Sequence, residues 1–278
     1  MDNPPHSVTL STVIGSSRFW LWRLPGVIAA GATILFAGGF WLALRGALGN
    51  PIGAPPPPPQ AARAAVRTST KRLLLVLGDS LARGTGDESG RGFGSDVLDT
   101  MKKRAPGEIA NLSVNGAESA ELRDLVASAN VRSLAASADV ILISIGGNDL
   151  SHAVPRGPDV GAGAIEDVST ARRRYAGNLR AILTDLRRAS PSAPIFLLGL
   201  YDPFGNSGPG GRLGASVILG WNTLIEETAL SFPAILLVPT FDLFEGRPDR
   251  LAADRFHPNR RGYAAIAARM AQLLPEAP

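Results

Sequence analysis

The sequence predicts an α/β fold: a five-stranded parallel sheet covered on both faces by helices, in three α/β/α layers, preceded by one transmembrane helix. Three observations lead there. Five short apolar runs recur along the chain after Arg72. Segments with apolar residues at helical spacing lie between them. Ahead of both stands an uncharged apolar run of membrane-spanning length, followed by an unbroken run of prolines from Pro55 to Pro59.

Residues 1–18 show no periodic pattern and read as an amino-terminal tail. Residues 19–45 are the expected transmembrane helix. From Leu24 to Leu44 no residue is charged, and Arg23 and Arg45 bracket the run. Its 21 residues meet the roughly 20 that a helix needs to cross the hydrocarbon core. Trp20, Trp22 and Trp41 stand near its ends, where interfacial aromatics belong. A buried core helix would be shorter and keep a polar face. A cleavable signal peptide would have a shorter apolar region and a small-x-small site behind it. The expected form is therefore an uncleaved anchor. Arg18 and Arg23 precede the run and Arg45 follows it, which puts the amino terminus in the cytoplasm and the rest outside, periplasmic or at the cell surface. Residues 46–71 read as a proline-rich linker, because a proline run favours polyproline II and acts as a semi-rigid spacer.

Residues 72–278 carry the α/β pattern. LLLVL at 73–77 reads as a buried strand, residues 109–114 as a second, and VILISI at 140–145 as a third, rich in β-branched residues. IFLLGL at 195–200 and AILLV at 234–238 complete the sheet. Helical spacing joins Phe93, Val97, Leu98 and Met101, then Leu122, Leu125, Val126 and Ala129. Tyr175, Leu179, Ile182, Leu183 and Leu186 mark one face of a long helix. Val217, Trp221, Leu224, Ile225 and Thr228 mark another, and Tyr263, Ile266, Ala267, Met270 and Leu274 mark the last. Residues 151–170 and 202–214 are rich in Gly and Pro and read as loops that form a rim or lid.

Composition removes several classes of function. The 28 Lys and Arg against 24 Asp and Glu leave a net charge of +4, spread over helix faces and not gathered in a block. A solvated surface explains that better than nucleic-acid binding. With no cysteine there is no disulfide, no thiolate nucleophile and no thiolate metal site. The carboxylates and the three histidines do not cluster at ligand spacing, so neither a metal nor a cofactor is expected.

Four motifs carry chemistry, and each follows a strand, where open α/β sheets bind ligands. Gly78-Asp79-Ser80 follows the first and offers a hydroxyl nucleophile. An ordinary turn with a helix cap would look the same. Asn115-Gly116 follows the second, where a glycine lets backbone N–H approach a ligand. Gly146-Gly147-Asn148-Asp149 follows the third and supplies an amide that can donate to a developing oxyanion. Both also fit plain turn chemistry. Asp254-Arg255-Phe256-His257 lies after the last strand, with a carboxylate three residues before a histidine, able to orient it as a general base. His6 falls in the tail, and His152 reads as a rim residue. GTGDESGRGFG lacks the Lys-Ser/Thr ending of a phosphate-binding loop.

Taken together the four blocks, LGDSLARGTGD, VNGAES, IGGNDL and DRFHPN, resemble in order those of the SGNH hydrolases, also called GDSL lipases and esterases. The resemblance spans about residues 72–274. Within the family it is nearest to bacterial acylhydrolases with an amino-terminal membrane segment. It implies a flavodoxin-like SGNH hydrolase fold and a serine esterase. In that reading Ser80 is the nucleophile, His257 the base and Asp254 its orienting acid, and an acyl-enzyme forms. The backbone N–H groups of Ser80 and Gly116 and the side chain of Asn148 would form the oxyanion hole. Asp79 and Asp149 would brace loops, and Gly84 and Gly86 would shape the turn after the nucleophile. The implied substrate is an ester-containing small molecule, a lipid ester or an acylated glycan. A carbohydrate O-acetylesterase acting on envelope glycans, and a non-catalytic membrane-tethered lipid- or glycan-binding module, are the alternatives.

Overall fold

Side chains alternate in direction along a strand, so an uninterrupted apolar strand must find cover on both sides. β1 (Arg72–Gly78) does so: Leu74, Leu75, Val76 and Leu77 are all fully buried. The computed structural model describes residues 71–273 apart from 104, 155–161 and 206–207. The expected tail (1–18), the transmembrane helix (19–45) and all of the linker except Lys71 lie outside the described residues. Among the described residues, no helix is long and apolar enough to cross a membrane.

β1 pairs in parallel with β2 (Gly107–Asn111) on one side and β3 (Val140–Ser144) on the other. β4 (Ile195–Leu198) and β5 (Ile235–Val238) continue the sheet, giving the order β2-β1-β3-β4-β5. The chain runs outward from β1 to β2 and then crosses back to β3, so the topological switch point lies between β1 and β3. A ligand crevice opens there at the carboxyl ends of the strands.

The two faces bury different helices. Leu75, Leu77, Ile141, Ile143, Ile195 and Leu197 point to one side. There they meet α3 (Ser119–Val126), α4 (Ala129–Ser137), α6 (Ala162–Ala189) and α7 (Gly208–Ala229). Tyr175 of α6 and Trp221 of α7 are buried and pack ring against ring at 5.1 Å. Leu74, Val76, Val140, Leu142, Phe196 and Leu198 point to the other side. They pack on α2 (Gly92–Lys102) and α9 (Arg260–Leu273), where Phe93 faces Tyr263 at 6.2 Å. Four-residue α1 (Ser80–Arg83), α5 (Gly147–Ala153), α8 (Phe241–Phe244) and a 3₁₀ turn (Pro248–Arg250) cap the sheet ends and connections.

Several boundaries differ from the expectation, each for a local reason. β2 is regular to Asn111 and not to 114; beyond it Leu112 and Val114 N–H still donate to Val76 O and Gly78 O at 2.9 Å, while the Asn111 side chain takes the Ser113 N–H at 3.0 Å and donates to Ala82 O at 3.1 Å. β4 stops at Leu198 and not at 200: the Asn222 side chain of α7 bonds both the N–H and the carbonyl of Leu200, at 2.7 and 2.8 Å. The helix read through Ala129 is two helices, since Ser128 leaves the helical region and caps the next one by accepting from Val131 N–H. The expected loops at 151–170 and 202–214 are helical over much of their length, because α5, α6 and α7 extend into them. Glycine and proline overstated the irregular content there.

Candidate active site

The end of β1 fixes where the site lies. Gly78 has φ +130°, and a Cβ there would sit 1.8 Å from the Ser144 carbonyl oxygen of β3. Only glycine allows that approach. Asp79 N–H then donates to the same oxygen at 3.0 Å. Asp79 is the N-cap of α1, accepting from Leu81 N–H at 3.0 Å and from the Ser144 hydroxyl at 3.1 Å. Burial pushes its carboxyl up to about 6, against the opposing pull of the Ser144 and Leu81 hydrogen bonds. Ser80 is thereby the first residue of α1, at the switch point, where the helix offers its own N–H no partner. Asp79 braces and does not reach the reacting position.

His257 arrives from the loop between β5 and α9. Its Nε2 lies 2.9 Å from Ser80 Oγ, and its Nδ1 lies 2.6 Å from Asp254 Oδ2. A carboxylate can only accept, so Nδ1 carries the proton and Nε2 presents a lone pair to the serine hydroxyl. The other oxygen of Asp254 accepts from the N–H groups of Phe256 and His257, at 2.9 and 3.0 Å. Arg255, at φ +55°, makes that tight return possible, a strained conformation for a side-chain-bearing residue. Partial burial opposes ionisation of Asp254. The His257 side-chain bond and the two backbone N–H groups outweigh it and hold the carboxyl below its ordinary range. Ser80, His257 and Asp254 therefore form one continuous chain of hydrogen bonds. Asp242 and Asp249, the other aspartates after β5, are engaged by Arg269 and Arg247.

The candidate oxyanion donors come from the strands flanking β1. Val114 N–H donates to Gly78 O at 2.9 Å, which brings the loop after β2 against the nucleophile turn. Gly116 follows at φ +79°, in a turn closed by Ala117 N–H on Val114 O at 3.1 Å. Among the described residues its own N–H meets no protein acceptor. Asn115 Oδ1 accepts from the Thr85 hydroxyl at 2.9 Å, tying that turn to the loop after α1. Asn148, on the first turn of α5, uses one amide N–H on Ala117 O at 2.9 Å. Its amide nitrogen carries a second N–H, and the first bond fixes the plane in which that one lies. Asp149 joins the same two loops: it accepts from both the N–H and the hydroxyl of Ser119, the N–H at 2.9 Å. Burial raises its pKa, against the Ser119 hydrogen bonds.

Residues that local patterns did not reveal hold this arrangement from beneath. Gly146 lies on the Tyr175 ring: a Cβ there would come within 2.6 Å of it. The Tyr175 hydroxyl donates to Ile145 O at 3.1 Å. The Tyr263 hydroxyl reaches Thr85 O at 2.7 Å, and the Tyr201 hydroxyl reaches Phe256 O at 2.6 Å. Arg260, just past His257, bonds both Asp87 and Asp96. These partners are up to 178 positions apart in the chain, so no local pattern could have flagged them. His152 stands on the exposed rim against Glu118, as expected.

A model of the GDSL-like lipase/acylhydrolase family matches residues 76–265. YpmR of Bacillus subtilis, an uncharacterized protein, is 28% identical over 218 residues, covering 76% of this chain and 85% of its own length. Spore germination lipase LipC of Bacillus licheniformis is 28% identical over 202 residues, covering 70% of this chain and 92% of its own. Among solved structures, the lipase Lip_vut3 from a goat rumen metagenome aligns with a TM-score of 0.62 at 25% identity, covering 73% of this chain and 97% of its own.

Proposed function

The chain belongs to the GDSL-like lipase/acylhydrolase family, and from that premise we propose that it is a serine esterase working through Ser80, His257 and Asp254. The observation that carries the proposal is the hydrogen-bond chain from Ser80 Oγ through the imidazole to the carboxylate. His257 Nε2 takes the proton of Ser80 as Oγ attacks the ester carbonyl. The tetrahedral oxyanion accepts from the N–H groups of Ser80 and Gly116 and from the free N–H of Asn148. The intermediate then collapses: the C–O bond to the alcohol breaks, the alcohol leaves with the proton from Nε2, and the acyl group stays on Ser80. Water repeats the sequence, with His257 again as base, and releases the acid. Asp254 keeps Nδ1 protonated and stabilises the imidazolium as it forms.

A relative named a spore germination lipase supports lipid esters as the substrate class. Labelling by a fluorophosphonate probe and hydrolysis of a series of ester chain lengths test the reading, each compared with Ser80→Ala. Labelling and turnover should both vanish in the variant. Their persistence in the variant would remove Ser80 from the mechanism, and their absence from the wild-type protein would leave the non-catalytic binding module. Turnover confined to acetyl groups on glycans would move the assignment to a carbohydrate O-acetylesterase.

The apolar run from Leu24 to Leu44 further supports an uncleaved single-pass anchor within residues 19–45, with the hydrolase domain outside the cytoplasm. Protease added to intact spheroplasts should remove that domain. Complete protection would reverse the topology.

A further inference from the structure

Phe204 is 75% exposed, the most open aromatic ring beside the candidate site. It is held there by design of the chain around it. Its N–H donates to the carboxylate of buried Asp202 at 2.9 Å, a turn that fixes the backbone on which the ring stands. Its ring faces that of Phe256 at 6.2 Å, with the planes inclined by 48°. Phe256 in turn meets the His257 imidazole edge-on at 5.0 Å, and its carbonyl is held by the Tyr201 hydroxyl at 2.6 Å. Ring contacts thus connect exposed Phe204 through Phe256 to the base that faces Ser80 Oγ.

The loops that carry these rings are informative. Phe204 follows β4, and Phe256 and His257 follow β5. Gly116 and Asn148, which face the oxyanion in the reading above, follow β2 and β3. In acylation the proton passes from His257 Nε2 to the departing oxygen, so the alcohol portion of the ester must lie on the imidazole side of the reacting carbon. The rings therefore border the alcohol and not the acyl chain. Two faces inclined by 48° make a notch with no flat platform, and both are hydrocarbon. A notch of that shape suits an alkyl or aryl group better than the broad face of a sugar.

We infer that Phe204 and Phe256 form a leaving-group subsite that selects esters of apolar alcohols; this rests on the esterase reading of Ser80 and His257. The test uses the full-length protein and two series of substrates. In the first, butyrate is esterified to ethanol, butanol and hexanol, whose intrinsic reactivities are alike. In the second, ethanol is esterified to acetate, butyrate and hexanoate. In the wild-type protein kcat/KM should rise with alcohol length. Phe204→Ala should lower the hexyl-to-ethyl ratio by about tenfold, the scale expected for losing apolar contact with about two methylenes. The hexanoate-to-acetate ratio should hold, and Phe204→Leu should recover most of the alcohol preference. An unchanged alcohol ratio in Phe204→Ala, or a fall in the acyl ratio in its place, would overturn the subsite while leaving Ser80-dependent hydrolysis intact. Absence of Ser80-dependent hydrolysis in the wild-type protein would overturn the esterase reading, and the subsite with it. Because Phe204 is so exposed, its melting temperature should stay near the wild-type value, which separates loss of binding from loss of fold.

Discussion

At the scale of single residues, Asn148 separates chemistry from turn formation. Its amide spends one N–H on Ala117 O, which leaves the other for a further acceptor. If that N–H stabilises the oxyanion, its benefit arises mainly in the transition state, and kcat should fall with little change in KM. Asn148→Ala should cost on the order of 10²–10³ in kcat, or roughly 3–4 kcal/mol. Asn148→Asp keeps the size but puts negative charge beside the oxyanion, and should be at least as damaging. Active-site-titrated kcat for both variants, with melting temperatures alongside, checks this. Near-normal kcat in Asn148→Asp would assign the residue to the turn. The motif around Asn148 was legible in the sequence because Gly-Gly-Asn-Asp follows an unmistakable strand. Its tie to Ala117, 31 positions away, was not.

At the scale of elements, the contact of β1 with β3 does most to define the site. The Gly78 backbone lies so close to Ser144 that a methyl group would fall 1.8 Å from the carbonyl oxygen, and its φ of +130° is one that residues with a side chain rarely adopt. Gly78→Ala should therefore destabilise the domain by at least about 3 kcal/mol, from overpacking and backbone strain together. It should also cut activity in the molecules that still fold, because Ser80 is only two residues on. Denaturant midpoints and titrated activity measure the two effects. A midpoint near the wild-type value would mean that the strands part without cost. Strand identities were readable from apolar runs with some fidelity, but strand ends were not. Asn111 and Asn222 make side-chain hydrogen bonds to the backbone just past β2 and β4, and hydrophobic periodicity carries no information about those. The split at Ser128 is a milder case, since a serine cap is a local signal that the run of apolar residues across it concealed.

At the scale of the whole molecule, the two ends of the domain are clamped beside the site. Asp87, from the loop after α1, and Arg260, at the start of α9, meet 173 positions apart. Burial would raise the Asp87 pKa, but the Ser89 hydroxyl and N–H, the Gly92 N–H and Arg260 together lower it to about 2. A folded-state pKa below the ordinary 3.8 stabilises the protein above that ordinary value, and the contribution is lost as pH falls toward 2. Asp87→Asn should thus lower stability by about 2 kcal/mol at neutral pH, with the gap to wild type narrowing from pH 4 downward. A gap that stays constant over that range, in denaturant titrations at stepped pH, would show that the charge of Asp87 is not what matters. By itself the sequence determined the class of fold and the family resemblance, and it singled out Ser80, Gly116, Asn148, Asp254 and His257 as candidates, because strand runs and short motifs are local and each motif follows its own strand. The tertiary structure decided what depends on distant partners: that His257 Nε2 meets Ser80 Oγ, which N–H groups stay free, which tyrosines hold the loops, and that Phe204 stands exposed against Phe256. Those outcomes come from side chains that meet only after the sheet has ordered its strands β2-β1-β3-β4-β5, and no window of neighbouring residues contains that order.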